Sequence, residues 1–336
     1  MNDQRPVFSV IIPLFNKAAY IARCLNSVLN QTWQVFEILV VDDGSTDNGS
    51  DIVLAIEDPR LRLIRQENQG VSRARNRGAS EASTDLLAFL DADDEWLPRF
   101  LESVADLANR YADAGAYGTA CWFLRRGGWV RFSGNRRALD GKFEGMVTNY
   151  FRGGHILWCG SAVVRKKVFE QAGGFDPQLK NGQDQDLWFK IAAISAFAYT
   201  NDPQVIWHIK VTDSLSGSGT LSFRTQRLFP NSDWLLRMDL PEARKAGILY
   251  YVRRSVASLM LVSASRGYPD YAENLLDEYV VRHGRPDLLI RVCRQIARST
   301  MLSKATLSCP RIVRAMHFLW YTYCRPPAWL AARRIP

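Results

Sequence analysis

VFSVIIPL (residues 7–14) and FEILVVDD (residues 36–43) are the two stretches that decide the fold. Each is apolar almost without interruption, as parallel strands are when helices cover both faces of their sheet. Between them, apolar residues from Tyr20 to Leu29 recur at helical spacing and predict a connecting helix. The pattern predicts the α/β class, a sheet fed by crossover helices.

The alternation of strand and helix patterns continues to about residue 220 and then stops. Further strands are predicted at 61–65, 86–90 and 116–123, and a helix is predicted from Asp94, with apolar residues in one stripe up to Tyr111. Helices alone are predicted afterwards, at 241–266, 270–283 and 287–303. The sequence therefore predicts an α/β domain over residues 1–220 and a helical C-terminal region with a basic tail over 221–336.

The net charge of +9 comes from one end of the 336-residue chain. Residues 288–336 hold nine basic and no acidic side chains, so the remaining 34 basic residues balance all 34 acidic ones. A nucleic-acid-binding function is disfavoured, because the predicted strands end in acidic residues where a phosphate backbone would need cations. A dehydrogenase is also disfavoured, because the first strand runs into IPLFNK and not into a GxGxxG loop.

Three features of the sequence predict a cytoplasmic protein. We find no apolar run of the roughly 18 residues that a membrane-spanning helix needs. The first ten residues, MNDQRPVFSV, lack the apolar core of a signal peptide. The six cysteines are scattered and form no CxxC pair, as expected for reduced thiols.

Carboxylates follow the predicted strands, at the edge of an α/β sheet where ligands bind. Asp42 and Asp43 end the second stretch, and Asp91, Asp93 and Asp94 follow LLAFL. Three acids within four residues repel one another unless a cation meets them, and carboxylates are ligands that Mg²⁺ and Mn²⁺ prefer. The loop therefore predicts a metal-bound phosphate. The alternative is that Asp91 and Asp94 are turn and N-cap residues of a solvated loop.

A series of motifs runs along the first 216 residues. They are SVIIPLFNK (9–17), SVLNQT (27–32), VVDDGSTD (40–47), ENQGVSRARNRG (67–78), FLDADDEWLP (89–98), GGFD (173–176) and QDQDLWFKIA (183–192). In their order and approximate spacing, the chain resembles the family 2 glycosyltransferases, which are inverting enzymes with the GT-A fold. The resemblance implies transfer of a sugar from a nucleotide sugar, with a UDP-sugar favoured, to a hydroxyl of a saccharide or lipid-linked acceptor. Cell-surface polysaccharide synthesis is the family's commonest setting.

The resemblance implies that Pro13, Phe15 and Asp43 cradle the uracil. An aromatic ring stacks on a flat base, and a carboxylate accepts the hydrogen of uracil N3. The alternatives are core packing for Phe15 and a capped turn for Asp43.

For the diphosphate, the resemblance implies that Asp93 coordinates Mn²⁺ or Mg²⁺ and that Asp91 approaches the ribose or the waters of the metal. Arg73 and Arg75 lie on a candidate helix whose N-terminus is expected to face phosphate, with a solvated face as the alternative. Arg77, on the same helix, is predicted to belong to a solvated face. His208 is predicted to reach the diphosphate, or else to pack at a strand edge, and the neighbouring Lys210 is a second candidate.

Asp184 is the implied catalytic base, placed just before a helix that is predicted to begin near Asp186. A base is needed because a sugar hydroxyl attacks the anomeric carbon well only as its proton is removed. The chain departs from the family at Gln183, where a Glu is usual. This departure leaves a non-catalytic nucleotide-sugar-binding protein as the alternative.

The basic tail predicts one of two roles. Residues 312–323 place apolar and aromatic side chains on one side of a candidate helix, with Arg311, Arg314 and Arg325 beside them. In one role, such a helix binds peripherally to an anionic membrane, which for a cytoplasmic enzyme is the inner face of the cell membrane. In the other, it packs on the second domain.

Overall fold

The computed structural model describes residues 6–125, 128–132, 140–143, 157–179 and 182–208, together with positions 239, 240, 242, 245, 277 and 291. The chain divides into two compact units, residues 1–220 with 333–336 and residues 221–332. Every continuous described segment lies in the first unit. The helices predicted after residue 240 and the basic tail fall almost wholly outside the described residues and stay predictions. No helix in the described segments is both long enough and apolar enough to cross a membrane.

The described residues alternate strands and helices and confirm the α/β prediction. The strands are β1 (Phe8–Leu14), β2 (Phe36–Asp42), β3 (Leu61–Arg65), β4 (Leu86–Phe89), β5 (Glu95–Trp96), β6 (Ala116–Arg125), β7 (Gly128–Phe132), β8 (Gly141–Phe143), β9 (Ala162–Arg165) and β10 (Phe197–His208). The helices are α1 (Ala18–Leu29), α2 (Gly49–Leu54), α3 (Val71–Glu81), α4 (Phe100–Arg110), α5 (Lys166–Gln171) and α6 (Gln183–Ile194). A 3₁₀ turn lies at Cys159–Ser161.

The strands form one mixed sheet in the order β3-β2-β1-β4-β9-β6-β10-β5, with β7 paired to β6 and β8 paired to β10. Strands β3, β2, β1 and β4 are mutually parallel, whereas β9 runs antiparallel to both β4 and β6. Because β2, β1 and β4 are parallel neighbours, their C-terminal ends reach the same edge of the sheet. The loops that carry the acidic motifs therefore leave the sheet side by side.

Strand β1 is buried on both faces, as its continuous apolar sequence predicts. Phe8, Val10, Ile12 and Leu14 join a core cluster that includes residues of α1 and α4, such as Leu25 and Val104. Ile11, which points to the opposite face, meets α3. The connecting helix predicted between the first two strands is confirmed as α1, with Ile21, Cys24, Leu25 and Val28 buried.

Two predicted helix starts are wrong. The segment after Asp94 first forms the short strand β5, which pairs with β10, and helix α4 begins only at Phe100. Pro98 lies between the two elements and has no amide hydrogen with which to extend the strand, so β5 ends before it. Helix α6 begins at Gln183 and not near Asp186, directly after Gly182, whose positive φ of 76° lies outside the range of a right-handed helix.

Strands β9 and β10 were not predicted from the sequence. In β10 the polar residues Asn201 and Asp202 interrupt the apolar pattern, and the pairing with β6 shifts register between Thr200 and Val205. A bulge of this kind breaks the two-residue alternation by which strands are recognised.

Gly78 lets α3 lie directly on β1, and replacing it is expected to destabilise the fold. A Cβ atom at this position would stand 2.4 Å from Ile11 Cγ2 and 3.3 Å from Val41 Cγ2. Gly78→Val should therefore lower the free energy of unfolding by about 1–3 kcal/mol or more, measured by denaturant titration. Ser80→Val, at an exposed position of the same helix, is the control and should change it by less than about 0.5 kcal/mol. A Gly78→Val variant as stable as the control would contradict this close contact.

Candidate active site

The loops after β1 and β2 are bound to each other. Asn16 adopts a left-handed conformation, with φ 50°, and its Oδ1 accepts hydrogen bonds from the Thr46 amide at 2.8 Å and the Thr46 hydroxyl at 3.2 Å. Asp47 Oδ2 accepts from the Ala18 amide at 2.8 Å and so satisfies the start of α1. This frame leaves Phe15 44% exposed, so its predicted alternative, core packing, is wrong. Pro13 beside it is half-buried.

Asp43 is buried and anchors the segment that leads into α3. Its carboxylate accepts hydrogen bonds from Gln66 Nε2 at 2.7 Å, the Gln69 amide at 2.9 Å and the Gly70 amide at 2.8 Å. A carboxylate has about four acceptor positions, and described residues fill three of those of Asp43. The role of Asp43 toward uracil stays a prediction.

The three arginines of α3 have different surroundings. Arg75 is 4% exposed; its Nη2 donates to Asp91 Oδ1, and its guanidinium lies 5.1 Å from the centre of the Phe175 ring. Burial by itself would lower the pKa of Arg75, but the nearby Asp91, with smaller contributions from Cys159 and Asp184, raises it above the ordinary value. Arg73 is exposed and donates to Gln69 Oε1 at 3.0 Å, which leaves it accessible to a phosphate. Arg77 is exposed and paired with Glu81, as expected for a solvated face.

Residues 91–95, the acidic loop, carry four carboxylates, which meet Arg75, Lys17, the His208 amide and the His208 ring respectively. Besides the Asp91 pair with Arg75, Asp93 Oδ2 lies 3.0 Å from Lys17 Nζ. Asp94 is buried, and its Oδ1 accepts from the His208 amide at 3.0 Å. Burial, together with the charges of Asp93 and Asp91, raises the pKa of Asp94 well above its ordinary value. The alternative that Asp94 caps a helix on a solvated loop is therefore wrong.

His208 lies against the acidic loop. Its Nε2 is 2.6 Å from Glu95 Oε1, and the same oxygen is 3.1 Å from Arg23 Nε. His208 thus has a carboxylate partner in the structure, and its role toward a diphosphate stays a prediction. Lys210, the second candidate, lies outside the described residues.

The SVLNQT motif at the end of α1 holds the segment that follows the acidic loop, a role that the sequence did not indicate. Ser27 Oγ accepts from the Trp96 amide at 3.1 Å. The buried Gln31 donates to the Leu97 carbonyl at 2.8 Å and accepts from the Leu101 amide at 3.0 Å. A polar Gln31 at the end of an apolar stripe was the available signal, since a buried amide side chain needs hydrogen-bond partners.

Asn76 explains how the GGFD motif reaches the site. Its side chain donates to the Phe175 carbonyl at 2.7 Å and accepts from the Phe175 amide at 2.9 Å. These two hydrogen bonds hold the GGFD segment on α3 and place the Phe175 ring beside Arg75. Asn76 belongs to the motif ENQGVSRARNRG (67–78), but nothing in the sequence indicated its partner.

Asp184 lies half-buried in the first turn of α6 and close enough to Arg75 to affect its pKa. Asp184 and Asp91 therefore both act electrostatically on Arg75, and only Asp91 accepts a hydrogen bond from it. Leu187, Trp188 and Ile191 are buried, as predicted. Gln183 is also buried, and its Oε1 has no hydrogen-bond partner among the described residues.

The carboxylates of Asp91 and Asp93 suit a divalent metal whose remaining ligands come from the phosphates of a substrate. In the part of the chain that the structure describes, no three His, Cys, Asp or Glu side chains come together as a metal site. Mg²⁺ is commonly held by one or two carboxylates while substrate phosphates and waters complete its shell. The donor set fits that kind of site and not a cage formed by protein alone.

Comparison with known proteins identifies the family. The family model described as Glycosyl transferase family 2 matches residues 9–173, which include β1, the acidic loop and the first glycine of GGFD. This region of the chain belongs to glycosyl transferase family 2. YibD, an uncharacterized glycosyltransferase of Escherichia coli (strain K12), is 37% identical over 177 residues, 50% of this chain and 51% of that protein. The chain therefore spans about half the length of this family relative.

Solved structures show the fold of the family member. S. aureus TarS 1-349 in complex with UDP-GlcNAc aligns with a TM-score of 0.69 at 20% identity, covering 87% of each chain. Mannosyltransferase PcManGT from Pyrobaculum calidifontis, in complex with GDP-Man and Mn²⁺, aligns with a TM-score of 0.54 at 19% identity and covers 98% of this chain and 86% of that one. The likeness shows the GT-A fold.

Proposed function

We propose that this family 2 protein is an inverting glycosyltransferase that moves a sugar from a nucleotide sugar to an acceptor hydroxyl. The observation that carries the proposal is the convergence of separate acidic motifs on one site: Arg75 contacts Asp91 and is influenced by Asp184. The metal acts on the diphosphate that leaves the anomeric carbon, and the base acts on the hydroxyl that attacks it. The residues that supply the two must therefore come from segments that meet in the fold.

A UDP-sugar is the favoured donor. Phe15 exposes an aromatic face, Pro13 lies one residue before the end of β1, and the Asp43 carboxylate is an acceptor that matches uracil N3–H. The TarS complex with UDP-GlcNAc supports this choice of donor, whereas the PcManGT complex with GDP-Man supports only a nucleotide sugar in general.

Asp93 and Asp91 would hold Mn²⁺ or Mg²⁺ with the diphosphate of the donor. The metal would neutralise charge that develops on the leaving nucleoside diphosphate. Arg73 offers an exposed guanidinium beside the N-terminus of α3 for the same phosphates. His208 would add a hydrogen-bond donor if it leaves Glu95.

Asp184 would take the proton of the acceptor hydroxyl as that oxygen attacks the anomeric carbon. One such displacement inverts the configuration at the carbon. We propose a saccharide or a lipid-linked saccharide as acceptor, in the synthesis of a cell-surface polysaccharide. Peripheral contact of residues 310–336 with an anionic membrane, at its cytoplasmic face, would bring the enzyme to a lipid-linked acceptor, but this tail lies outside the described residues.

A panel of nucleotide sugars tests the proposal. The full chain is mixed with each compound, with and without Mn²⁺, and both the melting temperature and the release of nucleoside diphosphate are measured. We expect a UDP-sugar to raise the melting temperature most when Mn²⁺ is present, because ligand that binds only the folded state stabilises it. UDP release that increases with an acceptor glycan supports an enzyme, whereas stabilisation without release supports the non-catalytic binder. Failure of every nucleotide sugar to stabilise the chain would contradict both functions.

A further inference from the structure

Lys17 pairs with the carboxylate that is the first candidate for the metal. Its Nζ lies 3.0 Å from Asp93 Oδ2, and the two side chains are only 15% and 16% exposed. The backbone of Lys17 is fixed, because its carbonyl accepts from the amides of Tyr20 and Ile21 at the start of α1. Only the side chain of Lys17 is therefore available to move.

The ammonium of Lys17 has fewer polar partners than a buried charge usually has. Its Nζ is buried but makes no well-aligned hydrogen bond with any described residue, although an ammonium has three donors. The Tyr20 ring, 5.7 Å away, is its other close partner. Arg75 differs, since its planar guanidinium donates to Asp91 and lies over Phe175. A lysine on a flexible four-carbon stem changes partner more readily than an arginine held in this way.

A divalent cation at Asp93 would compete with the ammonium that already lies against Oδ2. Both would occupy space beside one carboxylate, and like charges at such distances repel strongly where water is excluded. The displaced ammonium would then need a new anion, because a buried unpaired charge is unfavourable. The diphosphate of the bound donor supplies that anion next to the metal.

We propose that Lys17 is a displaceable counter-ion of Asp93 that couples metal binding to diphosphate binding. This inference rests on the proposed function. Without nucleotide, a metal must compete with Lys17 for Asp93 and binds weakly. With nucleotide, the ammonium transfers to the diphosphate and the metal takes its place, so each ligand strengthens the other by the same factor.

Binding of Mn²⁺ alone to the full chain tests the coupling. Free Mn²⁺ is titrated by electron paramagnetic resonance with and without UDP, and UDP affinity is measured by calorimetry. In the wild type, UDP should strengthen Mn²⁺ binding by about tenfold or more. Lys17→Met should tighten Mn²⁺ binding in the absence of UDP by a similar factor and remove most of the strengthening by UDP. Arg77→Gln removes the same charge from an exposed pair and should change neither value by more than about twofold.

The outcomes separate this inference from the proposed function. If UDP and Mn²⁺ both bind but Lys17→Met leaves the Mn²⁺ affinity of the UDP-free chain unchanged or weaker, the inference is overturned and the proposed function stands. If neither UDP nor Mn²⁺ binds the wild type, the inference and the UDP-sugar assignment are overturned, and the panel of nucleotide sugars decides the proposed function. Should Lys17→Met fail to fold, Lys17→Gln replaces it. If UDP leaves the Mn²⁺ affinity of the wild type unaltered, the inference is overturned without any variant.

Discussion

Asp184→Asn is expected to slow sugar transfer about 10²-fold or more while nucleotide binding stays nearly intact. An amide keeps the shape of the side chain but cannot take the proton of the acceptor hydroxyl. Asp184 contributes to the raised pKa of Arg75 but does not belong to the segments assigned to the nucleotide. Donor affinity should therefore hardly change. Transfer is measured by product formation and donor affinity by calorimetry.

Asp186→Asn is the matched control for this prediction. Asp186 stands in the same first turn of α6, but it pairs with Lys190 at 2.9 Å, and both side chains are largely buried. Losing this pair should lower the free energy of unfolding while transfer per folded molecule is retained. An Asp184→Asn variant that transfers sugar at the wild-type rate would exclude Asp184 as the base.

Asp93→Ala is expected to abolish the Mn²⁺ dependence of UDP binding and to reduce transfer by about 10²-fold or more. The variant removes the carboxylate nearest to Lys17 and leaves the Lys17 ammonium buried without its partner. Some loss of stability should follow from that unpaired charge alone.

The double variant Lys17→Met/Asp93→Ala separates the two effects. Removing both charges should restore the free energy of unfolding without restoring metal dependence or transfer. Thermal unfolding measures the first quantity, and UDP titration with and without Mn²⁺ measures the second. If Asp93→Ala still binds UDP tightly and only in the presence of Mn²⁺, the metal assignment of Asp93 fails.

The sequence predicted the fold more fully than it predicted the site. Strands β1 to β4 and helix α1 follow from local patterns, because continuous apolar strands and a helical stripe record burial within a single segment. Helix α4 was placed too early, since its apolar stripe extends back through Trp96, which is buried in the strand β5. Burial alone does not distinguish these two conformations over so few residues.

By itself, the sequence determined the α/β class, the family resemblance and the acids that end β2 and β4. Those features depend on residue order within short segments. The tertiary structure alone decided that Lys17 pairs with Asp93, that Arg75 joins Asp91 to Phe175, and that Glu95 meets His208. The physical reason is that each of these contacts joins segments far apart in the chain. Only the order of strands in the sheet and the packing of α1 and α3 beside it bring such charges within reach of one another.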